Sequence, residues 1–224
     1  MAFFKQRAGA PEPGRYGALL IVLITGYLLS AFIDARWVEA VQVVLFTVAM
    51  LLALRSAAIS RRVVRVLLLA AIIGLPVMFV LSFSKETGDI GTGIANIWTG
   101  LVLLAAAVLI VHRVLAFGTV TLQSIYGAFS AYLVIGLMFA SFFAALYHLN
   151  GNLFFVPGEQ VHGTQTFQYF SFTTLTTLGY GDYTADYSSG QAIAVMEALT
   201  GQIFLATLVA RLVAAFRSPG DRQR

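Results

Sequence analysis

The sequence predicts an all-α membrane protein: six transmembrane helices, with a short helix and a glycine-rich loop turning back between the fifth and sixth. Three observations carry that expectation. Of 224 residues, 59% are hydrophobic and only 11% charged, where a soluble domain carries roughly a quarter charged. Six apolar runs approach or exceed the length a helix needs to cross hydrocarbon, about 20 residues with about 17 as the lower limit. Between the last two runs lie a polar stretch, a short helical segment and a cluster of glycines.

Residues 1–16 hold Lys5, Arg7 and Arg15 with Pro11, Glu12 and Pro13, and read as a short cytoplasmic tail. The first span, Gly17–Ile33, has no acid, lysine or arginine; the second, Val38–Leu54, has only Glu39 and the third, Val63–Phe83, only Arg65. With Ile94–Val111 they make a four-helix membrane domain over 17–117. Arg61, Arg62 and Arg65 open the third span. The run is short and stops near the membrane edge. That favours anchoring by snorkelling side chains over a voltage-sensor fragment, although Arg55–Arg65 also makes anionic membrane lipid a candidate modulator. The fourth span carries no arginine or lysine, and Arg113 sits at its inner end beside His112. Gating charges supply about 2.3 kcal/mol per charge per 100 mV. Little or no intrinsic voltage dependence is therefore expected.

The fifth run, Leu122–Tyr147, is long and rich in aromatics, among them Tyr126, Phe129, Tyr132, Phe139, Phe142, Phe143 and Tyr147. Asn150-Gly151-Asn152 and a stretch with Pro157, Glu159, His162 and Gly163 follow. Residues 164–176 then read as an amphipathic helix too short to cross a bilayer. The sixth span, Ser189–Ala210, is interrupted by Glu197 and belongs to an inner helix over 188–216, with 217–224 as a second tail. Non-helical backbone at membrane depth is tolerated only when buried in protein or lining water. A re-entrant helix and loop within a domain over 118–216 meets that condition.

Orientation follows the Lys/Arg bias of short loops. With the N-terminus inside, the inner segments hold Lys5, Arg7, Arg15, Arg55, Arg61, Arg62, Arg65, Arg113, Arg211, Arg217, Arg222 and Arg224, against Arg36 and Lys85 outside. Both termini are thus expected in the cytoplasm. The chain has no cysteine, and His112, His148 and His162 share no metal-ligand spacing. His148 and His162 flank the outer loop and read as solvated, although histidine titrates near neutrality. Nothing points to a nucleic-acid partner or a cofactor.

The run from Thr173 to Asp182, Thr-Thr-Leu-Thr-Thr-Leu-Gly-Tyr-Gly-Asp, resembles the potassium-channel signature. Tyr169-Phe170-Ser171-Phe172 before it and Glu197 to Gln202 after it match as well. The family is the pore-loop potassium channels, in the bacterial six-span branch with one pore domain per chain and, here, no charged voltage sensor. Close resemblance covers Leu122 to Phe216; the first four spans match only in number and placement.

The resemblance implies a potassium selectivity filter over 177–181, the design in which carbonyl rings replace an ion's hydration shell. The carbonyls of Thr177, Leu178, Gly179 and Tyr180, with the Thr177 hydroxyl, would hold K+, the permeant ion. For successive carbonyls to point one way, alternate residues must adopt conformations costly for a residue with a Cβ, and Gly179 and Gly181 adopt them freely. Leu178 stands where many relatives have valine. Tyr180 would face away from the pore, toward Tyr169 and Phe170. Asp182 reads as a carboxylate hydrogen-bonded behind the filter, or else as a solvated acid at the outer mouth. Ala185 stands where relatives often carry proline. Thr173, Thr174 and Thr176 read as filter-supporting hydroxyls or as back-bonding helix residues. Spacing places Glu197 behind the pore helix, in a structural hydrogen bond or ion pair.

Gly201 matches the family's hinge position, or serves close packing, small residues being common where membrane helices touch. Gln202, Leu205 and Val209 are candidate cavity-lining residues, with Leu212 or Val213 at an inner constriction. One filter strand cannot surround an ion, so a homotetramer is expected. The function implied is passive K+ conduction, not enzyme catalysis, in a bacterial inner membrane. A less selective cation channel is the alternative, and Tyr180 argues against it; a potassium transporter subunit and a non-conducting sensor fit less well. No nucleotide-binding domain is expected after Phe216. Gating would come from the membrane part, from lipid, from a separate regulatory subunit or from the filter.

Overall fold

A computed structural model describes residues 15–33, 41, 44–45, 48–49, 88–116, 120–156 and 158–216. The expected second span apart from a few residues, the third span with Arg61–Arg65, and the tail 217–224 lie outside the described residues. The described chain is helical: α1 (Arg15–Phe32), α2 (Gly88–Ala116), α3 (Leu122–Leu149), α4 (Thr164–Leu175) and α5 (Ser188–Phe216). Among the described residues there is no strand beyond a bridge between Phe155 and Ala185. Three helices, Asp89–Leu115, Leu122–Leu149 and Ser188–Ala214, are long and apolar enough to cross a membrane, and Tyr16–Phe32 is a shorter apolar helix.

The helix α3 is the centre of the chain. In its most apolar stretch 72% of residues are buried, against 11% in α5, and α1, α2, α4 and α5 all pack on it. It starts cleanly: the Thr121 side chain accepts from the Ser124 N–H, and the Thr121 N–H donates to Ser124 Oγ. This reciprocal cap satisfies amide groups that no preceding turn can bond.

Between α2 and α3 lies the most extensive helix–helix contact. Lipid is as apolar as leucine, so membrane helices adhere through close packing rather than expulsion of water. Small residues permit that approach. A Cβ added at Gly100 would fall 2.6 Å from Phe142 Cε1, and one at Gly127 2.7 Å from Val114 Cγ2. The Asn152 side-chain amide donates to Asp89 Oδ2 at 2.8 Å, fastening the turn after α3 to the first turn of α2.

The segment between α3 and α4 is held by aromatic rings. Phe143 of α3, Phe154 and Phe155 of the loop and Phe170 of α4 meet edge-on or tilted at 4.9–5.8 Å, within the range such rings prefer. Phe155 also stacks on Phe167 and meets Tyr183. Main-chain bonds from Val156 N to Thr184 O and from Asp186 N to Phe154 O join this loop to the chain that precedes α5. Ala185 sits buried within that bridge.

Candidate functional site: the 177–181 loop and its supports

Helix α4 ends at Leu175, and the chain turns through residues 177–181 before reaching α5. Its dihedral angles alternate. Thr177 (φ 59°), Gly179 (φ 50°) and Gly181 (φ 78°) lie in the left-handed region, and Leu178 and Tyr180 between them do not. A Cβ added at Gly179 or Gly181 would meet nothing within 4 Å in the chain. Glycine is needed there for its backbone freedom, not for space. Thr177 adopts the same region with a β-branched side chain, at a cost of roughly 1–2 kcal/mol. Strain of this kind persists only where the surroundings impose it.

Those surroundings are the end of α4. The Thr173 carbonyl accepts from Leu178 N at 2.8 Å and Gly179 N at 3.1 Å, and the Thr174 carbonyl from Thr177 N at 2.9 Å. Thr173 and Thr174 thus hold the loop through their carbonyls. The hydroxyls of Thr173 and Thr176 turn back onto the Phe170 and Phe172 carbonyls of their own helix.

At the C-terminal end of the loop, the Tyr169 hydroxyl donates to Asp182 Oδ2 at 2.8 Å, and Asp182 Oδ1 accepts from Tyr183 N. By accepting that hydrogen bond, Asp182 pushes the Tyr169 phenol up to about 12. The Glu159 carboxylate accepts from Thr184 N, and the Tyr183 hydroxyl donates to the Gln160 carbonyl. Tyr180 behaves otherwise than expected within one chain. Its ring is 67% exposed and makes no ring contact with Tyr169 or Phe170 among the described residues. Tyr169 faces Tyr183 instead.

At the N-terminal end of the loop, Gln202 Nε2 donates to Thr177 Oγ1 at 3.2 Å. This brings together two residues that the sequence separates into loop and cavity wall. Leu205, Val209 and Val213 are exposed on the chain, as is Gln202, while Leu212 is half-buried. Gly201 is buried hard against α4: a Cβ there would lie 2.3 Å from the Leu175 carbonyl oxygen. The Tyr132 hydroxyl of α3 donates to that same oxygen at 3.2 Å.

Glu197 is fully buried, with Oε1 2.5 Å from Ser171 Oγ. Ser171 is the partner that spacing along the chain left unnamed. Sequence reasoning also missed Gln168, whose Oε1 meets Ser30 of α1 in a buried contact, and Tyr132. Gln168 and Ser171 are polar residues three apart on an amphipathic helix and share its buried face. That pairing was the signal available in the sequence.

Residues 135–218 match the family model described as an ion channel. Over those residues the chain is similar to the pore-loop ion channels. No curated protein and no solved structure matches the chain. In the layout of such channels, α3 would stand as the outer helix, α4 as the pore helix, 177–181 as the filter and α5 as the inner helix. Pore-loop channels conduct ions passively through a membrane and are not an enzyme class.

Proposed function

We propose that this protein is a potassium-selective channel whose pore is assembled from four copies of the chain. The observation that carries this reading is the alternation of backbone handedness at Thr177, Gly179 and Gly181. Alternation of this kind lets the carbonyls between them face a common axis, as a filter that replaces a hydration shell requires. The Thr177-Leu178-Gly179-Tyr180-Gly181 sequence is the potassium-selective form of that design.

Fourfold assembly is supported by what one chain leaves bare. Leu178 and Tyr180 are more than half exposed, as are Val195, Met196 and Ile203 of the inner helix. A neighbouring copy would cover the Tyr180 ring that its own chain leaves open. The pore helix then re-enters from the outer face, its C-terminal partial negative charge aimed at the cavity, where it favours a cation. Lysine and arginine distribution supports cytoplasmic termini, and the family resemblance supports a bacterial inner membrane.

The test is a reversal potential under a potassium/sodium bi-ionic gradient, with the purified protein in planar bilayers. A strong shift toward the potassium equilibrium potential, lost in Gly179→Ala, is the expected result. Current that does not distinguish the two ions would replace this reading with a less selective cation channel.

A further inference from the structure

Ser171 stands at the meeting point of three helices. Its Oγ lies 2.7 Å from the Gly136 carbonyl oxygen of the outer helix and 2.5 Å from Glu197 Oε1 of the inner helix. All three residues are buried. A serine hydroxyl has one proton to donate, a carbonyl oxygen has none, and an ionised carboxylate has none. Were Glu197 a carboxylate, one of the two oxygen–oxygen contacts would lack a proton, and lone pairs would face each other at hydrogen-bond distance. A neutral acid removes the conflict. Its O–H donates to Ser171 Oγ, and the Ser171 O–H donates to the Gly136 carbonyl.

A second observation agrees independently. Glu197 Oε2 is buried with no hydrogen-bond partner, and among the described residues no cation lies within ion-pair distance of Glu197. A buried charge left unpaired and half-bonded costs several kcal/mol, and a membrane interior is no more forgiving. The ionisable side chain that interacts with Glu197 from the outer helix is Tyr132, which donates its own proton to the Leu175 carbonyl. It supplies no compensating charge.

We infer that Glu197 serves as a protonated, neutral acid that fastens the inner helix to the outer helix through Ser171 of the pore helix. Glu197 is a positioning residue: the proton it carries completes a chain of donors from α5 through α4 to α3. This chain lies at the level of Gly136, where the Phe172 ring also presses on the outer helix. It fixes the pore helix between its two neighbours, and with it the Thr173 carbonyl that holds the filter. The inference does not depend on which ion is conducted.

Infrared spectroscopy of the reconstituted protein at neutral pH tests it directly. The carbonyl stretch of a protonated carboxylic acid is resolved from the carboxylate bands. Wild type should show such a band that Glu197→Gln lacks, with no loss of carboxylate intensity. In Ser171→Ala the same band should shift, because the acid has lost its acceptor. Loss of carboxylate intensity in Glu197→Gln, or a band indifferent to Ser171→Ala, would overturn the assignment. Heat stability supplies a further readout. Glu197→Gln keeps a donor for Ser171 and should unfold close to wild type, while the shorter Glu197→Asp should unfold earlier; equal losses in both would also defeat it.

Discussion

Tyr169 of α4 and Asp182 just beyond the 177–181 loop share a hydrogen bond of 2.8 Å, the phenol donating to the carboxylate. This bond closes a ring of chain that starts on α4, passes through the filter and returns to α4. Replacing either partner should release the outer end of the filter, so Tyr169→Phe and Asp182→Asn should each make potassium current run down faster. The two changes should not add, because both remove one interaction. A double variant markedly worse than either single one, measured in the same bilayers, would show separate roles.

The pH dependence of that bond has a definite sign. The Tyr169 phenol is raised from its ordinary value to about 12 because Asp182 accepts its proton. A group raised in the folded protein contributes its stabilisation below its unfolded value of about 10 and loses it as pH climbs through the folded one. The coupling should therefore be insensitive to pH across the neutral range. In an ultraviolet titration of tyrosinate, Tyr169→Phe should remove a component from the last, most alkaline part of the curve.

Gly201 faces the Leu175 carbonyl so closely that a methyl group has no room. Gly201→Ala should therefore destabilise the fold by about 1–3 kcal/mol, the usual cost of overpacking, with the loss read by thermal unfolding. A hinge role predicts something different: altered open probability with an unchanged unfolding temperature. The two measurements on one variant separate the readings.

Gln202 donates to the Thr177 hydroxyl at the start of the 177–181 loop, the inner end of the proposed filter. Gln202→Leu removes that donor while preserving side-chain bulk. The innermost ion site should change its affinity for a blocking cation such as internal Ba2+ by about 2- to 10-fold, from a hydrogen bond worth about 0.5–1.5 kcal/mol. An unchanged block would place the Thr177 hydroxyl under other control.

Helix α2 carries no lysine or arginine from Gly88 to Val111. Conductance in purified protein should accordingly vary only weakly with voltage, since charges inside the field supply about 2.3 kcal/mol each per 100 mV. Gating currents or a steep conductance–voltage curve would contradict this.

The left-handed glycines of the 177–181 loop and the apolar helices were legible in the sequence for a plain reason. Both are dictated by local requirements, glycine where φ is positive and an unbroken apolar run where lipid surrounds the chain. Gly179, Gly181 and the apolar run Leu122–Tyr147 could be read one residue at a time. The supports of the filter could not. Ser171 and Glu197 are 26 residues apart, and Ser30 and Gln168 are 138 apart; such pairs exist only once helices have packed. Apolar spans carry no address saying which neighbour they meet, so the docking of α1 on the pore helix left no trace in composition. Arg211, expected at the inner membrane surface, likewise gave no sign that its guanidinium donates to the Val114 carbonyl in the last turn of α2.

That docking has a practical meaning for anyone building chimaeras. Ser30 covers the Gln168 side chain, which is 2% exposed, and Tyr27 meets the Phe172 ring edge-on at 5.0 Å. A fragment cut near residue 118 would strip this cover and turn a glutamine amide toward hydrocarbon, where a polar group without a partner is costly. The seam along which this protein can be divided and grafted therefore does not fall where sequence likeness fades. The first helix should travel with the pore.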